Sequence, residues 1–266
     1  MTYTQVSAGG AHTVLLRSDG TAVAAGNNLA GQCDLPALGA GQTYTQVSAG
    51  GARTVLLRSD GAAVACGATP ASLCDLPAPS GGLTYTQVAA GYNHTILLRS
   101  DGAAVACSRG HDATDGQCVF PDLALDEGRA YTQVAAGGLH TVLLRSDGTV
   151  DAYGRRTDGQ CDIPPAGEGL VYTQIAAGYN HTVLLRSDGT AVACGRNRDG
   201  QCALPALDGG MTYAHAVAGG LHTVLLRSDG TAVACGRNEN GQCHLPALHA
   251  GRRRLAGWAP AQRRPR

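Results

Sequence analysis

The stretch "GGAHTVLLRSDGTAVAAG", Gly9–Gly26, decides how this chain folds. It returns as "GYNHTILLRSDGAAVACS" at Gly91–Ser108 and as "GGLHTVLLRSDGTAVACG" at Gly219–Gly236. Two landmarks set the period. Tyrosines stand at Tyr3, Tyr44, Tyr85, Tyr131, Tyr172 and Tyr213, spaced 41, 41, 46, 41 and 41 residues apart. The residue before the repeated threonine gives the same series: His12, Arg53, His94, His140, His181 and His222. Six copies therefore run from Tyr3 to near Leu248. The 46-residue interval holds two small insertions, one in "CSRGHDATDGQC" and one before Tyr131.

Each copy reads as a series of short strands. "YTQVSAG" is a β-run ending in small residues, and "HTVLLRS" follows, rich in Val and Leu. "SDG" is a hairpin signal, because Asp and Gly suit tight turns. "TAVAC" is a third strand, "GRNRDG" a turn-rich loop, and "QCALPAL" a short fourth strand ended by proline, which cannot donate to a ladder. No stretch keeps a 3.6-residue apolar period, so helices are not expected. Four short antiparallel strands per unit, repeated six times, predict an all-β chain built as a β-propeller. One small sheet cannot bury both faces, whereas sheets stacked round an axis can. The small residues of the first strand suit the crowded centre, and "VLL" of the second fills the spaces between blades. A β-helix is the alternative, with rungs usually shorter than this period.

Composition sharpens the reading. The chain has 266 residues, 44% of them hydrophobic and only 4% aromatic, so the core is made of Leu, Val, Ala and Cys. All 20 basic residues are arginines. Residues 1–250 carry 14 of them against 20 acids, a net of −6, and six arginines follow in residues 251–266. A body of that sign is a poor match for a phosphate backbone, so nucleic acid is not expected as its partner. The last 16 residues, "GRRRLAGWAPAQRRPR", are expected to form a disordered Arg/Pro-rich tail, the one part with the charge for a nucleic-acid contact or a nuclear address. No run approaches the roughly 18 apolar residues of a membrane helix, and the start "MTYTQVSAGG" has no secretory pattern. An intracellular protein, cytoplasmic or nuclear, without membrane contact is expected.

The recurring words "AGGxHTVLLRSDGTAVACGxNxxGQC" resemble the regulator-of-chromosome-condensation repeat over residues 3–248, especially its short bacterial form, seen in a propeller-shaped β-lactamase inhibitor protein. Where that repeat has Trp before Gly, this chain has Ala25, Cys66, Cys107, Tyr153, Cys194 and Cys235. Where it has Leu after Gly-Gln, this chain has Cys33, Cys118, Cys161, Cys202 and Cys243. The second copy has Arg53 for His, and Ser72-Leu73 for Gly-Gln. The resemblance implies that the repeat histidine packs structurally. It also implies a ring of seven blades in most members, so six copies make a six-bladed ring, an open one, or one completed by a second chain. Guanine-nucleotide exchange on a small GTPase is the activity the founding member brings to mind, and recognition within a ubiquitin-ligase system is another family role.

From the residues themselves, little suggests catalysis, a cofactor or a metal. Five repeat histidines are spread one per blade rather than gathered. Cysteine pairs recur at Cys66/Cys74, Cys107/Cys118, Cys194/Cys202 and Cys235/Cys243, but Cys33 and Cys161 face Ala25 and Tyr153 in the paired position. Reduced core thiols are the favoured reading; disulfides within blades are the alternative. The six Arg/Asp couples of "LRSDG" mark hairpin tips. Symmetry breaks in the loop after the third strand, where repeat proteins usually carry function. The candidate partner-binding residues are Asn28, Arg109, His111, Asp112, Arg155, Arg156, Asp158, Arg196, Arg198, Asp199, Arg237 and Glu239. The expected function is a non-catalytic scaffold that binds a protein partner through these loops.

Overall fold

A computed structural model describes residues 1–67, 76–108, 115–120 and 130–246. It contains eighteen strands in six separate antiparallel sheets of three. The first sheet is β1 (Tyr3–Ala8), β2 (His12–Arg17) and β3 (Ala22–Gly26). The others repeat it: β4–β6 from Tyr44 to Gly67, β7–β9 from Tyr85 to Ser108, β10–β12 from Tyr131 to Gly154, β13–β15 from Tyr172 to Gly195, and β16–β18 from Tyr213 to Gly236. Each sheet is a blade whose first strand lies innermost.

Local chemistry fixes each blade. In β1 the register slips between Tyr3 and Gln5, a bulge at Thr4 whose Oγ1 donates to the carbonyl of Leu16 (3.4 Å). The hairpin after β2 is held by the Gly20 N–H donating to Arg17 O (2.9 Å) and the Arg17 N–H donating to Thr21 O (2.8 Å). Asp19 Oδ1 accepts both the N–H and the hydroxyl of Thr21, which is the turn-shaping role expected of that Asp. Gly20 sits at φ 78°, and a Cβ there would lie 2.4 Å from Cβ of Thr43 on the next blade. Only glycine meets both demands.

The expected fourth strand is not formed: each described sheet has three. The segment after the third strand is spent on a tight loop instead. Gln32 is buried, and its Oε1 accepts the Ala30 N–H (3.0 Å), while Cys33 N–H donates to Asn28 Oδ1 (2.7 Å). These bonds turn the chain away from β3. The proline that follows has no N–H to give a ladder; its carbonyl accepts from the next blade, as Pro36 O does from the hydroxyl of Tyr44 (2.5 Å).

The core lies between blades. Val14 and Leu16 of β2 pack forward onto Tyr44, Val47, Ala49 and Leu56 of the second blade. Val55 and Leu57 repeat this against Tyr85, Val88 and Leu97, and Val183 and Leu185 do so against Tyr213, Ala216 and Leu225. In the sequence "VLL", the outer two residues face the next blade and the middle one faces the previous blade.

Polar bonds repeat at the same junctions. His12 Nε2 meets Thr54 Oγ1 at 2.9 Å, His94 meets Thr141 at 2.9 Å, His140 meets Thr182 at 3.0 Å, and His181 meets Thr223 at 3.0 Å. Each of these histidines is buried. The threonine hydroxyl in turn donates to the glutamine carbonyl of the previous blade's loop: Thr54 to Gln32 and Thr182 to Gln160, both 2.7 Å. Inner-strand glutamines accept across the junction as well, as Gln5 Oε1 does from Val47 N–H (2.9 Å). Arg53 takes the histidine position of the second blade, fully buried, and donates to Thr95 Oγ1 at 3.2 Å. The histidines are structural, as the resemblance implied. Five such junctions join six blades, and the array is not closed: among the described residues no junction of this kind joins the sixth blade to the first.

Candidate functional site

Two sets of loops share one face. The turn between first and second strands, Gly-Gly or Gly-Tyr, borders the axis. The loop after the third strand starts beside that turn: Asn27 N–H donates to Ala11 O (2.8 Å), Arg155 to Leu139 O, Arg196 to Asn180 O and Arg237 to Leu221 O. The variable loops therefore form an outer ring around the inner turns.

The inner turns frame a funnel of 260 Å³ lined by Ala, Gly and Ser of all six blades and by two tyrosines. Its rim is tied blade to blade through backbone. Gly10 N–H donates to Gly50 O (2.9 Å), Gly51 to Gly91 O, Tyr92 to Gly137 O, Gly138 to Gly178 O and Tyr179 to Gly220 O. Side chains hardly fit: a Cβ on Gly137 would lie 2.2 Å from Cε1 of His140. Tyr92 and Tyr179 replace the second glycine in the third and fifth blades. They are 50% and 37% exposed, and their rings meet edge to face at 5.3 Å, interplanar angle 77°. Rigid, half-exposed tyrosines at the middle of a face are the side chains that most often anchor a protein partner. Leu29, at the tip of the first outer loop, is 96% exposed and adds an apolar knob.

The outer loops are stiffened from within, and this sorts the candidate residues. Asn28 is exposed but spends its amide on the loop, donating to Asp34 Oδ1 (2.8 Å). Arg155 bridges two blades through Asp115 (3.3 Å). Arg196 pairs with Asp199 at 3.5 Å, Arg237 with Glu239, and Arg156 more loosely with Asp162 at 3.7 Å. The Asp158 N–H is held by Gln160 Oε1 (3.0 Å). Arg198 is exposed and carries no ion pair among the described residues. Arg109, His111 and Asp112 lie outside the described residues. The face thus presents alternating, mostly paired charges around an aromatic centre. The tyrosines are what the loop-based reading missed; their signal was the change from Gly-Gly to Gly-Tyr in two copies.

The nine described cysteines are free thiols. Cys194 Sγ–H donates to Gln160 O of the previous blade (3.7 Å) and Cys161 Sγ–H to Arg155 O (3.3 Å). Burial pushes the Cys194 thiol up to about 12, and those of Cys107, Cys161 and Cys202 up to about 11. Such thiols stay protonated at neutral pH and make poor nucleophiles or metal ligands. Cys74 lies outside the described residues. No group of three His, Cys, Asp or Glu side chains capable of holding a metal occurs among the described residues, and no described helix is long and apolar enough to cross a membrane.

These features define an open, propeller-like array of β-blades with one differentiated face. The chain belongs to the family of the regulator of chromosome condensation (RCC1) repeat, whose family model matches residues 3–32, 85–117, 131–160, 172–201 and 214–242. Among solved structures it is similar to Prp20p from Saccharomyces cerevisiae, with TM-score 0.77 and 18% identity, covering 92% of this chain and 74% of that one. It is similar also to human WBSCR16, with TM-score 0.74 and 18% identity over 91% of this chain and 78% of that one. The CRINKLY ectodomain of the Arabidopsis thaliana receptor kinase ACR4 follows at TM-score 0.68 and 18% identity, covering 88% and 85%. No curated protein matches the chain.

Proposed function

We propose that this chain is a non-catalytic, intracellular scaffold that binds a protein partner on the face carrying the inner turns and outer loops. One observation carries the reading. Apart from Arg53, the blades are near-copies where they touch, and departures recur on this face, as the exposed pair Tyr92 and Tyr179 and as the variable loops. Repeat scaffolds recognise partners through such a differentiated surface on a rigid frame. The tyrosines supply the centre of the contact; Leu29, Arg156, Arg198 and Glu239 supply its rim.

A second reading is favoured by the likeness to Prp20p, described with its binding properties to Gsp1p and histones. In that reading the partner is a small GTPase and the chain promotes nucleotide exchange. Recognition for a ubiquitin-ligase system is a third assignment of the same face.

Affinity capture from native lysate, with the whole chain as bait, separates these. Partners lost in a Tyr92→Ala/Tyr179→Ala variant, and indifferent to excess GTP, support the scaffold. A small GTPase captured only without nucleotide supports exchange. Partners retained by the double variant would remove the tyrosine face from the reading.

A further inference from the structure

Every blade carries the same bulge in its innermost strand, between the tyrosine and the glutamine or, in the sixth blade, His215. Neighbouring residues of a regular strand point to opposite faces. A bulge re-aims one of them, and here threonine and glutamine line the same space. That space is a polar mouth at the start of the inner strands, roughly 15 Å along them from the glycine turns of the funnel. It has two lobes of 630 and 610 Å³, which share Gln87 and Thr132 and together take their lining from all six blades. Volumes of about 300–1,000 Å³ are those of small-molecule sites.

The bonds around the bulge settle what each side chain can still do. The glutamine Oε1 is committed: Gln5 accepts from Val47 N–H (2.9 Å), Gln46 from Val88 (2.8 Å), Gln87 from Val134 (2.7 Å) and Gln133 from Ile175 (2.9 Å). Each of these four leaves an Nε2 with two hydrogens, unburied and without a protein partner among the described residues. Gln174 spends one such hydrogen on Ala216 O at 3.3 Å. The threonine hydroxyl is committed in the opposite sense. Thr45, Thr86 and Thr132 donate to the carbonyls of Leu57, Leu98 and Leu144, each at 3.3 Å, and Thr4 and Thr173 make the same bond at 3.4 Å. All five threonines are exposed, so the oxygen is left as an acceptor. A blade therefore offers the mouth one amide donor and one hydroxyl acceptor.

No Arg, Asp or Glu lines either lobe among the described residues, so a charged ligand would find no counter-charge there. A ring of neutral donors and acceptors is matched by a molecule whose own neutral groups both donate and accept and point outward all round it. Sugar hydroxyls do this, whereas an extended peptide carries its backbone polar groups along two edges. We infer that this mouth binds a short neutral oligosaccharide, whose hydroxyls donate to the threonine oxygens and accept from the glutamine amides. The site is separate from the face that carries Tyr92 and Tyr179.

Methyl spectra of the full chain, with carbon-13 in the threonine methyls, test this. The probes are maltotriose, cellotriose, mannotriose and xylotriose, with trigalacturonate and tetra-alanine as charged and peptide comparisons. Each is used at about 10 mM, enough to fill a millimolar site. At least one neutral sugar is expected to shift the methyls of Thr45, Thr86 and Thr132 and to leave that of Thr182, buried at a junction, in place. Gln46→Glu/Gln87→Glu keeps an acceptor oxygen for Val88 and Val134 and replaces the free donors. It should weaken that sugar about tenfold or more, the worth of two hydrogen bonds, with an unchanged urea midpoint. Thr45→Val/Thr86→Val removes the acceptors instead and should weaken it about as much; this variant decides the case if the glutamate variant does not fold. No shift with any of the four sugars, shifts confined to threonines away from the mouth, equal binding of trigalacturonate or tetra-alanine, or full affinity in a folded variant would overturn the inference.

Discussion

Acidification from pH 7.5 to pH 5.0 should destabilise this protein far more than a typical domain, because of the histidines at its junctions. Burial lowers His94 to about 3, helped by the nearby Arg53 and His140 charges. Burial lowers His140 and His181 to about 4, each with a smaller contribution from the next histidine in line. In the unfolded chain a histidine titrates near 6.5. Below that pH the unfolded state takes up protons that the folded state refuses, so stability is full above pH 6.5 and falls until about pH 4. At pH 5.0 the unfolded state gains about 2 kcal/mol per histidine, hence about 6 kcal/mol for the three. That is comparable with the whole stability of an ordinary domain, about 5–15 kcal/mol. His12 and His222 are lowered by burial too and act in the same sense. The turn carboxylates Asp19, Asp188 and Asp229 are held low mainly by hydrogen bonds from the following threonine, so their loss comes only at more acid pH. Urea unfolding at pH 7.5, 6.5, 5.8 and 5.0, followed by circular dichroism, reads the effect. A His140→Gln/His181→Gln variant should show a loss about 4 kcal/mol smaller over the same interval. Midpoints that do not move between pH 7.5 and 5.0, or a double variant as pH-sensitive as the parent, would refute the buried neutral histidine.

Other outcomes follow from single contacts. Thr182→Val removes the donor to Gln160 O and the partner of His140 together, and should cost about 1–3 kcal/mol in urea unfolding. Leu184→Ala empties a fully buried position between blades and should cost about 2–5 kcal/mol. With its thiol near 12 against an ordinary 9.0, native Cys194 should react with iodoacetamide at pH 8 roughly a thousandfold more slowly than in urea, followed by mass spectrometry. Tyr92→Ala and Tyr179→Ala, at exposed positions, should stay within about 0.5 kcal/mol of the parent in stability.

How much of this was legible in the sequence depends on where each interaction closes. The blades were legible because their determinants are local: a run ending in small residues, an Asp-Gly hairpin and a Val- and Leu-rich strand within one 41-residue unit. The absent fourth strand was not, because "QCALPAL" has the composition of a strand while its Gln201 side chain and the N–H of Cys202 close a loop, on Asp199 and Asn197. The open ring was one of three outcomes that the sequence left undecided. Tyr3 and Tyr44 carry the same letters around them, and only the presence of a preceding blade decides that one is exposed and the other buried. At the candidate face, the charged loop residues drew notice by their variety, yet most of them answer an acid close by. Tyr92 and Tyr179 stand at a position that reads as structural in every other copy, and their exposure comes from the crowding of glycine backbones around the axis.

The uniform junction also bears on how such a gene can change. Because His12 reaches Thr54, His140 reaches Thr182 and His181 reaches Thr223 across the same 42 residues, a unit of 41 residues can be lost or gained in register there and leave a His–Thr junction of the same kind. An exchange between repeats that falls in this register yields another array whose blades fit. Selection can therefore revise the number of blades in one step, whereas the His–Thr wording shared by most junctions is revised one blade at a time, as Arg53 shows in the second.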